Sequence, residues 1–368
     1  MKIAQISPLA ESVPPKLYGG TERVVSWLTE ELVAQGHDVT LFASGDSQTS
    51  ARLIPVTPQA LRLDPTVKDT LGYIIMQIEE VRRRAQEFDI LHFHIDLLHA
   101  PFVRSAGAPA VTTLHGRLDL PDLTPFYRAF SDIPLVSISD HQRLPMPPVN
   151  WAGTIHHGMP LDLLRPTLGD GEGYLAFLGR ISPEKRPDRA IRIAANAGIP
   201  LRIAAKIDDV DRSYWNEVIA PLVARHEDIV TFVGEIDDRR KADFLGNARA
   251  LLFPIDWPEP FGLVMIEAMA CGTPVIAFRS GSVPEVIDEG RSGFIVDSEG
   301  AALAALGRIG SLSRAEVRRC FEERFSVSRM ARDYLRIYQG LIEAPFAAGN
   351  NVIRFHDPEP PHAAPLLA

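Results

Sequence analysis

Two carboxylates, Glu259 and Glu267, stand with seven residues between them around a Pro260-Phe261-Gly262 turn. A carboxylate accepts two hydroxyl hydrogen bonds at once, so the pair suits the vicinal hydroxyls of a sugar and a ribose. Pro260 and Gly262 end the preceding segment, and Leu263 to Ala270 reads as a helix. Its free N–H groups near Gly262 and Leu263 can face a diphosphate. The chemistry is that of a sugar-nucleotide site. The plainer alternative is one carboxylate favouring a helix N-terminus and one solvated helix residue.

Gly179-Arg180-Ile181-Ser182-Pro183-Glu184-Lys185 follows an apolar strand pattern and precedes a helix, which puts Arg180 and Lys185 on a loop at a strand's carboxyl end. A guanidinium fork and an ammonium point charge there can clamp a diphosphate and stabilise it as it leaves. An ordinary solvated loop is the alternative. Tyr18-Gly19-Gly20-Thr21-Glu22 opens another helix, where glycines let backbone approach an anion, although such a pair is as often a simple turn. His115, just past a strand, can hydrogen-bond a sugar hydroxyl or help position an acceptor; a structural histidine is the alternative. His92, His94, His156 and His157 invite a metal reading, but no carboxylate or cysteine recurs at ligand spacing, and no metal is expected. Asp208, Asp209 and Asp211 precede an amphipathic helix and read as structural. Ser280-Gly281-Ser282-Val283-Pro284-Glu285 supplies a small-residue loop whose backbone is expected to line the nucleotide pocket.

These residues need a scaffold that brings strand ends together. Short β-rich segments alternate with helical patterns: Lys2–Ile6, helix 22–35, 39–42, helix 67–86, 90–93, 110–114, 133–137 and 154–155. A second series starts at Tyr174, with strands 174–178, 201–205, 229–233, 250–253 and 275–277 and helices 187–197, 214–224, 238–247 and 263–270. The rhythm predicts α/β architecture, two Rossmann-like domains with parallel sheets facing a cleft. Expected boundaries are 1–165 for the first domain, 166–326 for the second, 327–343 for a final helix and 344–368 for a Pro/Ala-rich tail.

The 368 residues suffice for two cores, and 46% hydrophobic with 23% charged residues is a soluble composition. A net charge of -9 argues against a nucleic-acid partner, leaving phosphate to local cations, while a local patch leaves peripheral membrane contact open. Two cysteines give no disulfide framework, and no leader or eighteen-residue apolar run is visible, so a cytoplasmic protein is expected. Nothing matches a P-loop, a dinucleotide fingerprint, a nucleophile elbow or a zinc-protease helix.

Taken together, the Glu-x7-Glu segment with its Pro-Phe-Gly, the Gly-Arg and Pro-Glu-Lys loop, the Gly-Gly loop and the Ser-Val-Pro-Glu-Val segment resemble, in matching order, the family-4 retaining glycosyltransferases of the GT-B fold. Residues 18–46 and 113–121 look closest to a bacterial subgroup similar to avilamycin-pathway glycosyltransferases. The resemblance implies that Arg180 and Lys185 bind the donor diphosphate, Glu267 the ribose and Glu259 the transferred sugar. It implies that Gly19, Gly20 and His115 line the reaction centre, with Gly262 and Leu263 lending N–H groups. It further implies a UDP- or GDP-linked sugar as co-substrate, no other cofactor, no metal, no protein nucleophile and front-face attack by a hydroxyl acceptor. Where the family often has Asn-Gly, this chain has His157-Gly158. Segments 48–66 and 118–124 are the expected acceptor-facing stretches. A sugar-nucleotide epimerase of the same fold and a non-catalytic sugar-nucleotide-binding protein are the competing readings.

Overall fold

Strands such as Ile90–Phe93 and Val275–Phe278 are apolar or aromatic along their whole length and buried on both faces, a pattern that only a helix-covered parallel sheet satisfies. The structure, a computed structural model, describes residues 1–16, 19–169 and 173–343. Tyr18, residues 170–172 of the expected boundary and the 344–368 stretch lie outside the described residues.

The first sheet has seven strands in the order Arg52–Thr57, Asp38–Ser44, Lys2–Ile6, Ile90–Phe93, Ala110–Thr113, Leu135–Ser137 and Trp151–Thr154. The second has six, ordered Val230–Gly234, Leu201–Lys206, Tyr174–Arg180, Ala248–Phe253, Val275–Phe278 and Gly293–Val296. Neighbours in both run parallel. In each sheet the winding reverses beside its first strand, between Lys2–Ile6 and Ile90–Phe93 and between Tyr174–Arg180 and Ala248–Phe253. Ligands bind at the carboxyl ends of strands flanking such a switch. Two α/β units thus aim their binding ends at each other.

Three departures from the sequence expectations have local causes. Arg52–Thr57 is a strand inside the 48–66 stretch; Pro55 hides it, and an edge position tolerates the missing N–H. The helix expected over 67–86 starts at Leu71, where Asp69 Oδ1 accepts the Leu71 N–H at 2.9 Å in an Asx turn. The helix expected over 214–224 runs from Arg212 to Arg225 through a π turn at Trp215–Ile219, just ahead of Pro221, whose ring removes an N–H from the ladder.

The helix Val327–Glu343 belongs by packing to the first unit. Its buried side chains Val327, Met330, Ala331, Tyr334 and Tyr338 recur at helical spacing, and it lies against the helix Gly20–Ala34. Tyr334 and Tyr338 are wholly buried, and removing each from water is worth roughly 1.5–3 kcal/mol. The crossing is pinned where Met159 N–H donates to Phe325 O at 2.9 Å and Val327 N–H to Met159 O at 3.0 Å. Among the described residues no helix is long and apolar enough to cross a membrane.

Candidate active site

On the second unit, the turn before helix Leu263–Ala270 is held by residues that leave little freedom. Gly262 has a φ of +78°, and a Cβ there would sit 2.8 Å from Met265 Cε and 3.1 Å from Phe253 Cζ, so only glycine starts the helix in this way. Behind it, Ser280 Oγ donates to Trp257 O at 2.5 Å, Ser282 N–H to Glu259 O at 2.9 Å and Ser282 Oγ to Phe261 O at 2.8 Å. Gly281 has a φ of +55°, and a Cβ there would fall 2.3 Å from Glu259 N. The 280–285 loop therefore buttresses the turn from behind instead of lining the pocket as expected. Its Glu285 crosses to the first unit, accepting the Asp140 and His141 N–H groups at 2.8 and 2.7 Å and contacting His156 Nε2 at 2.9 Å. Burial pushes this carboxyl up, but the His156 ring and the two backbone donors outweigh it and hold it below the usual range.

The cations of this wall are each matched by a carboxylate. Lys185 Nζ forms an ion pair with Glu259 Oε2, which also accepts the Trp257 indole N–H at 3.0 Å. Lys241 Nζ lies 2.7 Å from Glu267 Oε1. Arg180 is the last residue of the strand Tyr174–Arg180, a correction to its expected loop position, because the ladder continues to its pairing with Lys206. Its guanidinium contacts Glu184, and its Nε is 3.4 Å from Asp211 Oδ2. The Asp208–Asp211 acidic run serves as counter-charge to Arg180 and to Lys206, whose Nζ is 2.7 Å from Asp208. An incoming diphosphate would take over cations already held in place.

The first unit's wall is built without such pairs at its centre. Gly20 starts the helix Gly20–Ala34, and a Cβ there would meet Leu263 Cδ1 at 3.7 Å, so the two helix starts face each other. His115 is clamped through its neighbours: Gln142 Nε2 donates to Leu114 O at 2.9 Å and to Gly116 O at 2.8 Å. His115 Nε2 lies 2.9 Å from His94 Nδ1, and His94 Nε2 is 2.7 Å from Gln5 Oε1. Gln5 Nε2 donates to the Tyr338 phenol at 3.3 Å, and that phenol is 2.6 Å from His92 Nδ1. His92 Nε2 then meets Thr113 Oγ1 at 2.7 Å, which lies 3.0 Å from the Tyr334 phenol. An amide oxygen only accepts, so His94 carries its proton on Nε2 and receives the His115 Nε2–H on Nδ1. His115 Nδ1 is left as a buried acceptor without a partner among the described residues.

Burial holds the His92, His94 and His157 imidazoles well below their ordinary range and pushes His115 down to about 3, so the wall is neutral near pH 7. His157 stacks on His115 with ring centroids 5.3 Å apart, and its Nδ1 also lacks a partner among the described residues. Glu22, facing the same space, has its carboxyl pushed up, first by burial and further by Glu11.

The walls enclose a cleft of about 460 Å³. Gly19, Gly20, His115, Arg180, Lys185, Glu259, Gly262, Leu263 and Glu267 all line it. Of the two expected acceptor-facing stretches, 48–66 contributes Arg62 and 118–124 contributes no lining residue. Sequence reasoning passed over Lys241, Lys206 and Arg23, lone cations within regular elements, and Gln142, which has no motif around it. Trp257, two residues before Glu259, was the signal within reach.

The family profile described as Glycosyltransferase Family 4 matches residues 18–141, and that described as Glycosyl transferases group 1 matches residues 165–324. A phosphatidyl-myo-inositol mannosyltransferase of Mycolicibacterium smegmatis is 26% identical over 391 residues, covering 92% of this chain and 94% of that protein. A D-inositol 3-phosphate glycosyltransferase 2 of Catenulispora acidiphila is 35% identical over 163 residues, 39% of this chain, and the match spans only 38% of that relative's length. Among solved structures, AviGT4, a glycosyltransferase involved in avilamycin A biosynthesis, superposes with a TM-score of 0.67 at 23% identity, covering 94% of this chain and 98% of that one. Anabaena Alr3699/HepE, in complex with UDP and glucose, superposes at 0.72 with 18% identity, covering 93% and 100%. The two profiles fall on the two units in order, the fold is shared along the described chain, and this protein belongs to the family-4-like glycosyltransferases of the GT-B fold.

Proposed function

We propose that the protein transfers a hexosyl group from a nucleoside diphosphate sugar to a hydroxyl acceptor with retention of anomeric configuration. The observation that carries the reading is the convergence of Arg180, Lys185, Glu259 and Glu267 on one helix start, opposite the neutral His115 wall, inside a single cleft. Arg180, Lys185 and the N–H groups at Gly262 and Leu263 take the diphosphate. Glu267 receives the ribose hydroxyls and Glu259 those of the sugar, with His115 lining the opposite wall as a neutral imidazole. The acceptor oxygen attacks C1 on the face the diphosphate leaves; the C1–O electron pair goes to the phosphate oxygen, which takes the acceptor's proton. Charge grows on the diphosphate, and preorganised cations there supply about 10²–10³-fold each in rate. They do the electrostatic work a metal would otherwise do.

The neighbour solved with UDP and glucose supports trying UDP-glucose first, and the relatives' names support inositol and its phosphate in the acceptor panel. The test is thermal denaturation with UDP, GDP, ADP and dTDP, followed by turnover with the matching sugar donors and NMR assignment of the product anomer. Selective stabilisation by one nucleotide and a retained anomer are expected. No stabilisation with no transfer or donor hydrolysis would sink the reading, and a product formed without acceptor that differs only at one sugar carbon would replace it with epimerisation.

A further inference from the structure

Glu267 is 5% exposed, and one of its oxygens is committed: Oε1 takes Lys241 Nζ at 2.7 Å, leaving Oε2 to a ligand. Lys241 is itself held by Asp238, with Nζ 3.2 Å from Asp238 Oδ1. The other oxygen of Asp238 pairs with Arg23, which belongs to the first unit, one residue beyond Glu22 on the helix Gly20–Ala34. Arg23 is 6% exposed and its guanidinium reaches across the cleft to do this. The chain Arg23, Asp238, Lys241, Glu267 alternates in charge and joins the two units through three successive ion pairs, each partner orienting the next.

We infer that Arg23 and Asp238 are positioning residues for the nucleotide, acting through Lys241 on the Glu267 carboxylate, so that the grip on the nucleotide depends on the two units being closed together. This rests on the nucleotide-sugar reading and deepens it. A carboxylate that receives two ribose hydroxyls needs a fixed rotamer, and a lysine bonded to Oε1 supplies it. When the units part, Asp238 loses Arg23 and its whole charge falls on Lys241, which is drawn from Glu267. Asp238 is partly exposed, so salt screens its two ion pairs in part, while the buried Lys241–Glu267 pair is screened least.

The experiment measures nucleotide affinity by calorimetry for the wild type, Arg23→Gln, Asp238→Asn and the double variant, with whichever of UDP, GDP, ADP and dTDP binds the wild type. Asp238 does not line the cleft, so its substitution reports the indirect route. Each single variant is expected to weaken binding about tenfold, and the double variant no more than either, because contacting residues in one network are non-additive. Lys241→Gln provides a second check, with the donor KM raised more than kcat is lowered. Additive losses would mean that Arg23 meets the ligand itself, and an Asp238→Asn affinity within about twofold of wild type would mean that the chain is structural only; either overturns the inference while leaving the function standing. Failure of all four nucleotides to bind the wild type would remove both.

Discussion

The two walls of the cleft solve different problems with different chemistry. The second unit's wall pairs every lining cation with a carboxylate: Lys185 with Glu259, Lys241 with Glu267, Lys206 with Asp208 and Arg180 with Glu184. The first unit's central wall is a run of neutral hydrogen-bonding groups from His115 to Tyr334. Charges in place are what a departing diphosphate needs, whereas a neutral acceptor atom discriminates hydroxyl positions. On the proposed function, the second unit's wall supplies the charge for the diphosphate together with the Glu259 and Glu267 carboxylates for hydroxyls, while the centre of the first unit's wall adds only neutral hydrogen-bonding groups.

The sharpest way to break the comparison is Lys185→Ala. Turnover should fall about 10²–10³-fold, roughly 3–4 kcal/mol in the barrier, with melting within a few degrees of wild type. His115→Ala should lose nearer tenfold; equal losses in initial-rate assays would erase the division.

Tyr338→Phe probes the neutral wall's interior. It removes the partner of Gln5 Nε2 and His92 Nδ1, both fully buried, and should cost about 1–3 kcal/mol in chemical denaturation. A change below about 0.5 kcal/mol would mean that the network contributes no stability.

The histidines set a pH window of their own. His92, His94, His99 and His157 are buried, and burial depresses their affinity for protons, to about 3 at His99. They are neutral in the fold and protonate in the unfolded chain below about 6.5, so stability is full above that pH and is lost as pH falls below it. Each contributes a loss of about 1.4 kcal/mol per pH unit. Melting temperatures from pH 7.5 to 5 should fall steeply, and a flat profile would contradict the neutral buried state.

The smallest effect is expected at the seam. Ser139 Oγ donates to Pro260 O at 2.6 Å across the units, and Ser139→Ala should cost about 1 kcal/mol and raise the donor KM slightly. An unchanged KM would separate this contact from closure.

The two walls also differed in how far they could be read beforehand. Glu259, Glu267, Arg180 and Lys185 were visible because turn chemistry and charge sit within a few residues of each other, and the parallel strands showed as uninterrupted apolar runs. His115 stands out in the sequence just past its strand, but the groups that set its tautomer do not, since Gln5 and Tyr338 lie 333 residues apart and meet only after the last helix returns. Lys241 and Arg23 look like ordinary cations on helices: Lys241 meets Glu267 only once its helix packs beside Leu263–Ala270, and Arg23 meets Asp238 only when the other unit is in place. The 280–285 loop was misplaced because small residues favour a close approach to backbone as much as to a ligand.

The returning helix has a consequence for synthesis. Residues 1–165 leave the ribosome long before Tyr334 and Tyr338 exist, so the nascent first sheet must wait with His92 and Gln5 lacking their partner and the apolar side of helix Gly20–Ala34 bare. Completion of the first unit is deferred until the helix Val327–Glu343 has been made, which makes the intervening interval the period of greatest exposure to chaperones and to aggregation.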